Sequence, residues 1–154
     1  MKGTTAQVLR RLPWLAPLLF ALPAQALDYR SVEPASAVFY DAPAASARKL
    51  FVVSRFYPVE VVVSLADWIK VRDVTGALAW VEKKDLAERR TALVTVPVAD
   101  VRKEPDDKAP LAFQAEKDVA LFLEPGAKPS PGWARVKAAD GRSGYVKISQ
   151  VWGL

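Results

Sequence analysis

The chain has 154 residues, with 22 basic and 17 acidic side chains, no cysteine and no histidine. Without thiolate or imidazole it can build neither a Cys/His metal site nor a Ser-His or Cys-His nucleophile, and no disulfide framework staples it. Setting Lys2, Arg10 and Arg11 aside from the 22 basic residues leaves 19 against 17 acidic, so the net charge falls from +5 to +2 once the N-terminal segment is removed; the signs are mixed throughout, and the clustered basic face of a nucleic-acid binder is not written here.

Residues 1–26 read as a cleavable signal segment. Lys2, Arg10 and Arg11 form a basic start, Leu12 to Leu22 an apolar core, and Ala24 and Ala26 the small residues that precede cleavage after Ala26. The core is shorter than the ~20 apolar residues of a membrane span, so no stable span is expected after cleavage. The alternative is a retained anchoring helix. This order of features predicts a periplasmic or secreted protein.

The rest divides into residues 27–90 and 91–154, two segments of a size suited to small β-barrels. Leu27 to Pro43 and Thr91 to Pro105 open the two halves as short extended runs ending at a proline, which donates no hydrogen bond and marks a strand end. The next β-branched and aromatic runs, Leu50 to Val53 and Val59 to Ser64, have counterparts in Leu111 to Gln114 and Val119 to Leu123. Alternation predicts Val59, Val61 and Val63 on one face, likewise Val119, Leu121 and Leu123, with Val62 and Phe122 on the opposite face. If those outer faces are apolar, the other half or a partner would cover them.

Each half then carries a Trp-led hairpin. Trp68 to Leu86 reappears without a gap as Trp133 to Val151: Trp68 meets Trp133, Val71 meets Val136, Gly76 meets Gly141, Trp80 meets Tyr145 and Val81 meets Val146. Ile69 and Val71, like Ala134 and Val136, alternate with charged residues, the pattern of a half-buried antiparallel strand. Thr75-Gly76 and Asp140-Gly141 supply the turns, since glycine reaches positive φ without steric cost. Lys83 to Leu86 and Lys147 to Val151 read as single tight helical turns. The halves differ in one loop: Glu124 to Gly132, EPGAKPSPG, stands where the first half has only Ser64 to Asp67. Ala87 to Pro97 lacks the glycine and serine of a flexible linker, so the halves are expected to abut.

Val101, Arg102 and Pro105, with Gly132, Trp133, Val136, Asp140, Gly141, Gly144, Tyr145 and Val146, resemble the pattern of the bacterial SH3-like (SH3b) domain. The first half resembles it more faintly, through Pro43, Trp68, Val71, Gly76, Trp80 and Val81, with Tyr40 in place of the arginine, Asp67 before Trp68 and Ala79 for the second glycine. The resemblance implies an all-β fold of two tandem SH3-like β-barrels behind the signal segment. It also implies a non-catalytic, exported binding role with no cofactor, directed at peptidoglycan or at a peptide or protein of the cell envelope.

The aromatic residues are the binding candidates: Trp133, Tyr145, Trp68, Trp80 and Tyr40, joined by Arg102. Their faces could stack on a sugar ring or an extended peptide. For Trp68 and Trp133 the competing role is core packing, and for Arg102 it is a barrel-closing ion pair. If one barrel alone binds, the second is expected, with its long loop beside Trp133. A protein–protein adaptor using apolar barrel faces is the alternative. A hydrolase would need paired acids, and Asp106-Asp107 reads instead as a solvated turn beside Lys108.

Overall fold

A computed structural model describes residues 27–128 and 130–154, with Gly3 alone before them. The expected signal segment and its cleavage after Ala26 therefore lie outside the described residues. Two antiparallel sheets of seven strands make up the described residues, and their strand orders are the same. The first runs β3-β2-β6-β5-β4-β1-β7, from β1 (Tyr29–Val32), β2 (Ser36–Tyr40), β3 (Lys49–Ser54), β4 (Pro58–Ser64), β5 (Trp68–Arg72), β6 (Leu78–Glu82) and β7 (Leu86–Ala87). The second runs β10-β9-β13-β12-β11-β8-β14, from β8 (Thr91–Val94), β9 (Val98–Arg102), β10 (Leu111–Glu116), β11 (Ala120–Leu123), β12 (Trp133–Lys137), β13 (Ser143–Lys147) and β14 (Val151–Trp152). The all-β, tandem expectation is met, and a 3-10 turn precedes the last strand of each sheet, at Lys83–Asp85 and Ile148–Gln150.

Each sheet closes on its own core. Phe39, Val59, Ile69, Val71 and Val81 fill the first; Val101, Phe113, Leu121, Val136 and Val146 fill the second. The alternation of the Trp-led strands holds, with Ile69, Val71 and Val136 fully buried. Gly76 and Gly141 take φ values of +86° and +94° in the hairpin turns. Gly144 is needed for space: a Cβ there would stand 2.5 Å from the Arg102 carbonyl oxygen.

Three local expectations fail. Each opening run is two strands, because Glu33-Pro34 and Pro97 break the ladder. The register of β4 with β5 slips between Val61 and Val63, so strict alternation ends there and Val63 is exposed while Val59 is buried. Val119 lies outside β11 and is exposed, because Asp118 before it turns the chain with φ +65°.

The halves abut, as the connector's composition predicts. Phe56 sits at φ +69°, a backbone region that bulky side chains rarely occupy, and its ring meets Phe122 of the second half at 4.8 Å. The Arg89 guanidinium lies over both rings. Thr91, buried, donates its hydroxyl to the Phe56 carbonyl at 2.7 Å. Tyr29 packs edge-on against Trp152 at 5.3 Å, and Arg90 covers the Tyr29 ring while donating to the Gly153 carbonyl at 3.1 Å. Of the two outward residues singled out in sequence, Phe122 is thus covered by the other half, whereas Val62 stays 40% exposed.

Candidate functional site

All six predicted site residues fall on one kind of surface, the outward face of the Trp-led hairpin and the strand beside it. In the second half the register places Arg135, Tyr145 and Arg102 in a row across β12, β13 and β9, with Trp133 opposite Lys147. In the first half Lys70, Trp80 and Tyr40 form the equivalent row across β5, β6 and β2, with Trp68 opposite Glu82.

Several of the six are already engaged. Arg102 donates to the Ala109 carbonyl at 2.7 Å and to Asp100 Oδ2 at 3.1 Å, the structural role weighed against ligand contact. Trp133 is half-buried with the Lys147 ammonium 5.6 Å from its ring centre. The small cleft that joins Trp133 to Arg102 measures ≈70 Å³. In the first half Tyr40 is buried edge-on against Trp68 at 5.3 Å and 89°. The Lys70 ammonium stands 5.9 Å from the Trp80 ring centre. Asp106 accepts the Lys108 amide in its own turn and Asp107 pairs with Lys147, so the two acids are not a buried pair.

Tyr145 is different. Its outward ring forms part of a cleft of ≈500 Å³ whose other wall is the long loop from Glu124 to Lys128. The loop turns at Gly126, φ +73°. Arg135 bridges the loop and the ring: its guanidinium lies 5.5 Å from the Tyr145 ring centre, its Nη1 donates to the Tyr145 hydroxyl at 3.2 Å, and its Nε donates to Glu124 Oε2. The bond to Glu124 first, and that to Tyr145 second, raise the Arg135 pKa further above its already high value. The cleft thus presents an aromatic ring, a carboxylate, and two cations, Arg135 and Lys128.

Sequence reasoning chose Tyr145 and the loop but missed Glu124 and Arg135. Arg135 looked like the charged side of an amphipathic strand. The signal that could have found the pair is register: Leu123 pairs with Val136, and the Glu124 amide donates to the Arg135 carbonyl at 3.2 Å, so the first loop residue must lie beside Arg135. The loop is bonded to Trp133 through its backbone, the Trp133 N–H donating to the Ser130 carbonyl at 3.0 Å. In the first half Ser64 stands in Glu124's place, and a depression of ≈410 Å³ there is lined by Ala66, Asp67, Glu82, Lys83 and Lys84 with no aromatic ring.

Among the described residues there is no group of three or more acids that could hold a metal ion, and no helix long and apolar enough to cross a membrane. Residues 33–88 and 95–153 each match the family model described as bacterial SH3 domain. The chain belongs to the bacterial SH3 domain family. Both matches fall on the two sheets, and the family identifies the chain as a binding module. Comparison with curated proteins gives no match. Among solved structures, the chain is similar to NlpC2 from Trichomonas vaginalis, with 17% identity, 83% of this chain and 48% of that chain covered, and a TM-score of 0.38. It is also similar to NlpC1 from Trichomonas vaginalis, at 16% identity, covering 85% and 47%, TM-score 0.38. A third is an NlpC/P60 family protein from Bacillus cereus, at 16% identity, covering 80% and 55%, TM-score 0.35. The chain spans about half the length of these structures, and at this level of likeness they say nothing of its activity.

Proposed function

We propose that the protein is an exported, non-catalytic binding protein that recognises peptidoglycan, or a peptide of the cell envelope, through the Tyr145 cleft of its second SH3 domain. The observation that carries this reading is the pairing of the long loop with an outward aromatic ring: the cleft of ≈500 Å³ exists in the half that has the loop. Ligand sites are concave, with a few convergent polar groups on an apolar floor, and Tyr145, Arg135 and Glu124 supply that combination. Export is supported by the basic, apolar and small-residue order of residues 1–26. A non-catalytic role is supported by the lack of histidine and cysteine and by the solvated turn that holds Asp106 and Asp107. The test is retention on purified sacculi at low salt. The wild-type protein should sediment with them and Tyr145→Ala should stay in solution; a wild-type protein that is not retained overturns the reading.

One observation favours a protein–protein adaptor as the second reading. The outward face of β3, β2, β6 and β5 carries Val52, Val38, Tyr40, Leu78, Trp80 and Trp68. The equivalent positions of the second half are Gln114, Asp100, Arg102, Ser143, Tyr145 and Trp133, and Gln114 and Arg102 both bind Asp100. In the second copy three of the six positions, Gln114, Asp100 and Arg102, satisfy one another. The first leaves Val52 62% and Leu78 47% exposed, and exposed apolar surface of this kind marks contact with another protein. Val52→Lys with Leu78→Lys should leave sacculus retention unchanged and abolish recovery of an envelope protein partner; loss of sacculus retention instead would place the wall contact on this face.

A further inference from the structure

We infer that the Tyr145 cleft reads an α-amino-acid zwitterion, an ammonium and a carboxylate on one carbon, presented at the end of an aliphatic stem. This rests on the reading of the cleft as the ligand site and narrows it to a chemical class. The cleft holds opposite charges in direct contact, and each is only partly used. Arg135 has five N–H donors; Nε goes to Glu124 and one Nη1 hydrogen to the Tyr145 hydroxyl. Among the described residues none accepts from Nη2, and none donates to Glu124 Oε1. The guanidinium is tethered on two sides, by its bond to Glu124 and by the Tyr145 hydroxyl and ring. The free valences are therefore held in place before a ligand arrives, which lowers the ordering cost of binding.

Spacing then selects the ligand. Because Glu124 and Arg135 touch, one ligand must present its cation and anion within the width of a single small group. An amino acid does so on one carbon. A peptide with charged ends spreads them along a backbone that extends by up to ~3.6 Å per residue, so even short peptides overshoot. The ammonium takes Glu124 Oε1, and the carboxylate lies between Arg135 Nη2 and Lys128. Tyr145, Pro125 and Ala127 line the space left for the stem.

The first half shows what the site requires. Lys70 over Trp80 repeats the cation and ring of Arg135 over Tyr145. Ser64 replaces the carboxylate, and there is no loop to wall the space. The acid and the loop arrive together at Glu124, the first residue of the insertion. The competing account is an ordinary surface ion pair, which adds little to stability and binds nothing.

The zwitterion has two sources, a wall peptide with a diamino-diacid side chain or a free amino acid. Calorimetry on the full chain separates them. The probes are the tripeptide L-Ala-γ-D-Glu-meso-diaminopimelate, the same peptide amidated at the distal carboxylate, the same peptide acetylated at the distal amine, and free diaminopimelate. Each blocked peptide should bind about tenfold or more weakly than the parent, the loss expected when a charged group gives up its hydrogen bonds. Glu124→Gln should erase the difference made by acetylation, and Lys128→Gln should shrink the difference made by amidation; both changes are exposed or half-exposed and conservative, so the fold survives them. Free diaminopimelate binding as tightly as the tripeptide supports the zwitterion and assigns it to a free amino acid. Blocked peptides that bind as well as the parent, with binding lost in Tyr145→Ala, overturn the zwitterion and leave the cleft standing. No binding of any probe while sacculi still retain the protein overturns the zwitterion alone; no retention on sacculi either overturns both.

Discussion

Phe56 couples the two halves through a backbone conformation that its own side chain disfavours. The ring meets Phe122 at 4.8 Å and 71°, under Arg89, and the residue sits at φ +69°. Truncating a fully buried phenylalanine costs about 3–5 kcal/mol; Phe56 is half-buried, so Phe56→Ala should cost about 2 kcal/mol in urea unfolding. An edge-to-face pair is worth about 0.5–1.5 kcal/mol beyond its burial. Phe56→Ala with Phe122→Ala should therefore lose about 1 kcal/mol less than the sum of the single changes. Phe56→Gly supplies a second, sign-determined test. Glycine takes positive φ without strain, so it should be no more destabilising than alanine here, the reverse of their usual order in regular structure. A coupling energy within ~0.3 kcal/mol of zero, the error of additive sites, would refute the docking of the halves through this pair. A glycine variant clearly weaker than the alanine variant would refute the left-handed backbone at Phe56.

Gly144→Ala pushes a Cβ to 2.5 Å from the Arg102 carbonyl and should destabilise the protein by about 1–3 kcal/mol, whereas the equivalent position already holds Ala79; equal tolerance at both sites, read by thermal unfolding, contradicts the packing described. Gly153 sits at φ +107°, where a Cβ would meet the Thr91 carbonyl at 2.9 Å and Pro58 Cβ at 3.1 Å. Gly153→Ala should loosen the contact between halves and raise amide exchange at Thr91, and unchanged exchange would count against it. Burial first, then the charge of Asp73, raises the Tyr57 pKa, and burial followed by Glu60 raises that of Tyr29. The unfolded chain ionises first, near pH 10, so their contribution is fully present below that pH and is lost as pH rises through the higher folded values. The urea midpoint should fall more steeply above pH 10 in the wild type than in Tyr57→Phe; parallel curves would dispose of the argument.

The fold was legible because the Trp-led hairpin is written twice, with Gly76 and Gly141 at its turns and buried residues alternating with charged ones. What failed was local. Nothing in VEVVVS marks the slip at Val62, since every residue of the run suits a strand, and only the ladder with β5 locates it. Phe56 in a left-handed turn was equally invisible, because its reason lies in the other half. The site was half legible. Tyr145 could be placed outward by alternation and the loop by comparing the copies, but Glu124 and Arg135, eleven positions apart, become neighbours only through the register of β11 with β12. Trp133 and Arg102 carried the family likeness, yet their partners are Lys147, Asp100 and the Ala109 carbonyl. Residues that define a family pattern can do so because the barrel needs them.

The most direct test of the central claim is to map the amide shifts of the labelled protein as solubilised wall fragments are added. Binding at the Tyr145 cleft predicts perturbations at Glu124, Gly126, Ala127, Lys128, Arg135 and Tyr145, saturating together and absent in Tyr145→Ala. Perturbations confined to Val38, Val52, Leu78 and Trp80 of the first half, or none at all, would contradict it.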